Sequence, residues 1–152
     1  MSETANANGF PSKILVDADV LFSYLVSDEL SNHAEKLLER ADRGLLKLQT
    51  ASEIYDDIIT ALRTENTAMD VVVELLSDLR KLPHETLPTT LDVASEAMTL
   101  YAHYGGSRRL HYFDSFHVAT AKVFDLPLVT SDRFILQNTD KLGIAALDLR
   151  KI

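Results

Sequence analysis

The 152-residue chain contains no cysteine and no tryptophan. Without thiols there is no disulfide framework, no thiolate zinc site and no cysteine nucleophile. Glycine and proline are scarce, at 5 and 4 residues, and 46% of the chain is hydrophobic, which excludes collagen-like repeats and wholesale disorder. No apolar run approaches the roughly 18 residues that a membrane span needs. Met1 to Gly9 lack both a basic stretch and an apolar stretch, so no signal peptide is expected there and a cytoplasmic protein is. Positive charge is also short. The chain has 15 Lys and Arg against 23 Asp and Glu, a formal net charge of −8. That balance argues against broad electrostatic capture of nucleic acid and favours a cationic partner or a bound metal. Any contact with nucleic acid must therefore rest on a local basic patch.

What is present fits one domain, at about 100–200 residues per domain. Residues 1–12 are small, polar and aperiodic and read as a disordered tail; residues 13–152 read as the domain. Ile14-Leu15-Val16 is a short β-branched run of the kind a buried strand uses. Val20 to Val26 and Ser31 to Arg43 follow as helices, the second with Ala34, Leu37, Leu38 and Ala41 at helical spacing. Leu45 to Thr50 predicts a second strand. Ser52 is positioned to cap a helix to Arg63, and another runs from Asn66 or Thr67 to Leu82 before Pro83. Glu85-Thr86-Leu87 predicts a third strand, followed by a helix to Tyr104 that Gly105-Gly106 stops. Ser107 to His111 is a basic loop. A helix from Asp114 to Phe124, a strand at Leu126–Thr130, a short helix near Phe134 and a strand at Ile144–Leu149 complete the pass. Strands alternating with helices predict a parallel sheet between helical layers, a three-layer α/β/α sandwich.

Ligands in open α/β sheets bind beyond the carboxyl ends of the strands. Asp17 stands at the end of the first predicted strand and Asp132 at the end of the fourth, on one rim. The helix after the second strand offers Glu53, Asp56 and Asp57. Ile54, Ile58, Ala61 and Leu62 form its apolar stripe. Asp57 borders that stripe and points toward the sheet, Asp56 lies opposite, and Glu53 sits in the first turn, where the helix dipole favours an acid. Asp114 opens an almost wholly apolar helix, either as a simple N-cap worth about 1 kcal/mol or as a further site acid. Carboxylates converging on one rim repel one another, and burying them unpaired is costly. An all-oxygen donor set of this kind suits a hard ion, Mg²⁺ or Mn²⁺. His117, inside the apolar helix, reads as a hydrogen-bonded core histidine.

Four segments in order carry a resemblance. Ile-Leu-Val-Asp17-Ala-Asp19-Val-Leu, Asp57 followed by Ile-Ile-Thr-Ala-Leu-Arg, Tyr-Phe-Asp114-Ser-Phe-His-Val-Ala-Thr-Ala and Leu-Val-Thr-Ser-Asp132-Arg-Phe resemble the PIN domain from Lys13 to the C-terminus, and the small VapC-type toxins in particular. The resemblance implies a five-stranded parallel sheet and a metal-dependent ribonuclease with Asp17, Asp57, Asp114 and Asp132 as its acids. Asp57 stands where the family usually has Glu, and Asp19 where members often have Asn or Ser. Arg133, Phe134 and Ile135 follow Asp132, where many members carry a further acid. The resemblance also implies Mg²⁺ or Mn²⁺ on Asp17 and Asp114, with Asp57 and Asp132 orienting waters, and Asp19, Thr130 and Ser131 supporting them by hydrogen bonds. Arg108, Arg109, Lys122 and Arg133 become candidates for an RNA backbone. A small antitoxin protein and a homodimer are implied as partners, the latter through the helices of Ala68–Leu82 and Thr90–Tyr104.

Two other readings compete. Val16-Asp17-Ala18-Asp19-Val20-Leu21 also resembles the first motif of haloacid-dehalogenase phosphatases, in which an Asp attacks phosphate. Thr130 fits their second motif, but no later strand ends in an acidic pair. The alternative is a non-catalytic PIN-like interaction module that retains its acids for structure.

Overall fold

The computed structural model describes residues 9–152. Five strands, β1 (Lys13–Val16), β2 (Lys47–Ala51), β3 (Glu85–Leu87), β4 (Leu128–Thr130) and β5 (Ala146–Asp148), form one parallel sheet in the order β3-β2-β1-β4-β5. Both faces are covered. Ile14 and Val16 of β1 face helices α1 (Ala18–Val26), α2 (Ser31–Asp42), α3 (Ile54–Thr64) and α4 (Met69–Leu79). Leu15, pointing the other way, packs with α5 (Leu91–Tyr104), α6 (Tyr112–Val123), α7 (Arg133–Gln137) and α8 (Thr139–Leu142). The period-two alternation of β1 thus divides the core into two layers. A 3₁₀ turn at Leu149–Lys151 ends the chain, with Leu149 buried in the first layer.

The predicted α/β/α sandwich with five parallel strands is the observed fold. Several boundaries move, each for a local reason. Pro127 lacks an N–H and contributes only its carbonyl, to Leu15 N at 2.9 Å, so β4 begins at Leu128. Asn66 takes a left-handed φ of 58°, which delays α4 to Met69. Lys81 and Leu82 turn back on Asp78 and Leu79 by three-residue bonds, so α4 closes at Leu79, ahead of Leu82. Ser52 does not cap α3: its hydroxyl lies 2.7 Å from Thr89 Oγ1, and Glu53 stands at the cap position. Asp114 is not the N-cap of α6, although its carboxylate closes a capping box with His111. That helix begins at Tyr112 with His111 as its N-cap, and Asp114 is its third residue. The tail expected over residues 1–12 lies, for its first eight, outside the described residues. Beyond them Phe10 packs on the core with the Arg40 guanidinium 4.7 Å above its ring, and Ser12 O accepts from Lys47 N at 2.8 Å.

Connections leave β1 in both directions, through α1 and α2 to β2 on one side and back from α6 through β4 on the other. The resulting switch point, between β1 and β4, opens a crevice at the carboxyl ends of the two strands.

Candidate active site

Helices α1, α3, α6 and α7 all begin on this rim, and each brings an acid at its cap or in its first turn. Asp17 caps α1, its Oδ1 accepting from Ala18 N at 2.7 Å. Asp132 caps α7, accepting from Ile135 N at 3.0 Å. Asp57 stands in the first turn of α3, and Asp114 of α6 accepts from His111 N at 3.3 Å. The partial positive charge of a helix N-terminus favours a carboxylate, and four such ends converge here. Asp17, Asp19, Asp57, Asp114 and Asp132 line one cleft of about 310 Å³ with Phe22, Ile58, His111 and Ser131.

Hydroxyls at the end of β4 and just after it hold these acids. Thr130 Oγ1 donates to Asp17 Oδ2 at 2.7 Å and accepts from Asp132 N at 3.0 Å, tying the first acid to the fourth. Ser131 donates to Asp19 Oδ2 from its hydroxyl and from its N–H, the latter at 2.7 Å. Asp19 Oδ1 is buried with no hydrogen-bond partner among the described residues. Ser131 is steadied in turn by Arg150, whose guanidinium donates to Ser131 O at 2.7 Å and to Asp148 Oδ1 at 3.1 Å.

Crowding and burial show in the proton affinities. Burial, then the charge of Asp114, push the Asp17 carboxyl up to about 7. Burial, then the charge of Asp17, push Asp19 up to about 7. Asp114 is raised to about 6 by burial, with Asp132 and Asp57 adding to the rise and His117 opposing it. His117 is fully buried. Burial alone would lower its pKa, but the hydrogen bond to Asp57 and the charges of Asp17, Asp57 and Asp114 hold the imidazole up to about 9.

His117 is the residue that sequence reasoning placed in the core and left there. It is a core residue and a hydrogen-bonded one, but its Nε2 lies 2.8 Å from Asp57 Oδ2 and 3.8 Å from Asp17 Oδ1. The signal was its spacing: three residues after Asp114, it shares that acid's helix face. His111, read only as part of a basic loop, lines the cleft with Nδ1 3.1 Å from Asp114 Oδ2.

Among the three acids around α3, only Asp57 lines the cleft. Glu53 is hydrogen-bonded to Thr89 and Ser52, and Asp56 is exposed. Lys122 stands apart from the other candidates. It pairs with Glu96 at 2.6 Å and sits eight residues beyond Asp114, about 12 Å along the helix, beside a hollow at the amino ends of the strands. Arg108 and Arg133 are exposed in the segments that carry His111 and Asp132, while Arg109 donates to His103 O at 3.3 Å.

The sequence matches the family model of the PIN domain over residues 14–142. This chain belongs to the PIN domain family. No curated protein matches it. Solved structures share the PIN chain's architecture at low identity. VapBC2 from Rickettsia felis, bound to a DNA fragment from its promoter, is 8% identical with a TM-score of 0.65, covering 90% of this chain and 98% of that one. VapBC-5 from Mycobacterium tuberculosis is 18% identical with a TM-score of 0.60, covering 91% and 99%. A toxin–antitoxin complex from Klebsiella pneumoniae is 17% identical with a TM-score of 0.55, covering 90% and 97%. At these identities the likeness is one of fold. Among the described residues, no helix is long and apolar enough to cross a membrane.

Proposed function

We propose that this PIN domain is a divalent-metal-dependent endoribonuclease and the toxin of a toxin–antitoxin pair. The observation that carries the reading is the convergence of Asp17, Asp57, Asp114 and Asp132 on one cleft at the β1/β4 switch point.

The donor chemistry fits a hard cation. The cleft offers carboxylate oxygens, including a buried Asp19 Oδ1 with no partner among the described residues, and no thiolate. Burial first, and neighbouring carboxylates after it, raise Asp17, Asp19 and Asp114, so a bound cation would favour their ionised forms. Asp17 and Asp114 would hold Mg²⁺ or Mn²⁺. When bound, such an ion supplies charge against the phosphoryl oxygens and lowers the pKa of water. The chain does the rest. Thr130 fixes the Asp17 carboxylate in one rotamer, and Ser131 fixes Asp19. Asp57 and Asp132, at the cleft edges, accept hydrogen bonds from the attacking water and orient it toward phosphorus. Arg108 and Arg133 supply the local basic contacts that an acidic chain needs for an RNA backbone.

Family membership favours this over the phosphatase reading of the first strand. It also supports the partners. The similar structures include toxin–antitoxin complexes. An antitoxin segment with a cationic side chain suits the acid cleft. Met69, Val71 and Val73 of α4, and Leu91, Met98 and Tyr101 of α5, are exposed apolar residues that suit a homodimer.

The test is RNA degradation with and without EDTA. Wild-type protein cuts with Mg²⁺ and stops with chelator. Asp17→Asn and Asp114→Asn stay folded and lose cleavage by about 100-fold or more. Undiminished cutting by both folded variants rejects the reading.

A further inference from the structure

The chain is acidic, with a formal net charge of −8, but the link from α5 to α6 is not. His103, Arg108, Arg109 and His111 fall within nine residues that hold no acid. The link is fastened to itself. Gly106 N donates to Leu110 O at 3.1 Å, Arg109 N to Gly106 O at 3.2 Å, and the Arg109 guanidinium to His103 O at 3.3 Å. Within it Arg108 is exposed and sits at a φ of 60°, a left-handed conformation that residues with a side chain seldom adopt. Tyr112 follows as the first residue of α6, between His111, which lines the cleft, and Asp114, two residues on. It is 49% exposed, yet three rings hold it: Tyr101 at 5.8 Å, Phe113 at 5.5 Å and Phe116 at 5.3 Å between centroids. They meet it at 65–86°, so none of the three lies parallel on its face. A half-exposed aromatic ring is thus fixed at the edge of the cleft, beside cationic side chains.

Rings on which bases stack, flanked by cations against phosphates, are a common means of holding unpaired nucleic acid. We propose that Tyr112 stacks on the nucleobase next to the phosphate in the cleft, with Arg108 against the flanking backbone. The inference rests on the nuclease reading above and deepens it by naming where a base is held. The rival occupant is a second copy of the chain, since Tyr101 belongs to the α5 face that suits a homodimer. An isologous contact through Tyr112 would bring two basic links together, and like charges there repel. An RNA strand brings the opposite charge.

The chain has no tryptophan, so Tyr112→Trp places a lone indole at the proposed contact. The full chain is titrated at low salt in EDTA with a pool of random single-stranded RNA octamers and with an abasic octamer. The RNA pool quenches the indole; the abasic strand, which carries the same phosphates, leaves it unchanged. Tyr112→Ala binds the pool about 5- to 150-fold more weakly, the range for one stacked base. With Mg²⁺ it raises KM, with kcat little changed, on an RNA that the wild type cuts. Tyr112→Phe keeps wild-type affinity, and Arg108→Ala weakens binding of both strands alike. An indole quenched equally by both strands, or by neither, overturns the inference. So does folded Tyr112→Ala with wild-type affinity and KM; if sedimentation shows that this variant has lost self-association, the face belongs to a second copy. These results leave the nuclease reading intact. If circular dichroism shows Tyr112→Ala unfolded, the indole signal and Tyr112→Phe decide. A wild type that neither binds nor cuts RNA removes the nuclease reading and this inference with it.

Discussion

Asp17 carries two demands at once. As N-cap of α1 it must accept a hydrogen bond, and as the deepest acid of the cleft it must bear charge in a buried place. Asparagine meets the first demand about as well as aspartate and removes the second. Asp17→Asn is therefore expected to melt higher than wild type in metal-free buffer at pH 8, by on the order of 2–4 kcal/mol for a carboxyl held near 7. The same variant loses Mn²⁺ binding, and a thermal melt and a titration check the two halves. Thr130 is the matching hydroxyl. Thr130→Val keeps the volume and strips the donor from Asp17 and the acceptor from Asp132 N. It is expected to cost about 1–3 kcal/mol in a denaturant melt. Metal affinity should fall by about 10- to 100-fold, as for other groups that orient a ligand. These contacts join residues 17 and 130, and no spacing rule in the sequence pairs them.

At the scale of elements, strands and helices were legible because their apolar periods are clean, and their ends were not. Ends depend on single backbone bonds: the missing N–H of Pro127, the left-handed Asn66, the bond of Ser52 to Thr89 in place of a cap. The start of α6 mattered most. Beginning at Tyr112, the helix puts Asp114 and His117 one turn apart on the side facing α3 and β1, with Asp114 displaced from the cap position to the third residue. The link from α5 to α6 is tight. A Cβ on Gly105 would lie 2.4 Å from Tyr101 O and 2.7 Å from the Tyr101 ring. Gly105→Ala is expected to shift the 105–111 link, lower stability by about 1–3 kcal/mol and reduce cleavage through displaced His111 and Asp114. A melt read beside the cleavage rate checks it; a variant equal to wild type in both would show that the link is slack.

For the whole molecule, the cleft ties stability to pH and, through the proposed ion, to metal. Asp17 and Asp19 sit near 7 and Asp114 near 6 in the folded state, against an ordinary value of 3.8. The folded form then holds more protons than the unfolded one between those values, so this contribution is full below about pH 4 and is lost as pH rises through 6 to 7. His117, raised from 6.5 to about 9, acts in the same direction at higher pH. The metal-free protein is expected to lose this stability from pH 4 toward 9, with a shallower slope in Asp17→Asn. Mg²⁺ at pH 8 restores it, by about 2.7 kcal/mol at a hundred times its dissociation constant. Thermal melts across pH with EDTA or Mg²⁺ test this, and equal slopes in wild type and Asp17→Asn would contradict it.

Sequence alone determined the layered parallel fold, because short β-branched runs alternating with amphipathic helices bury their faces in few other ways. It also determined the hard-oxygen character of the site, since a chain with no thiols and an acid at two strand ends offers little else. Which acid of Glu53, Asp56 and Asp57 enters the cleft was decided by tertiary structure, as was the placing of His117 among the carboxylates. Those outcomes turn on the packing of α3 against α6 across the end of β1, a contact between residues about sixty positions apart. Helical spacing orders the residues along one face; only the folded sheet decides which face meets which.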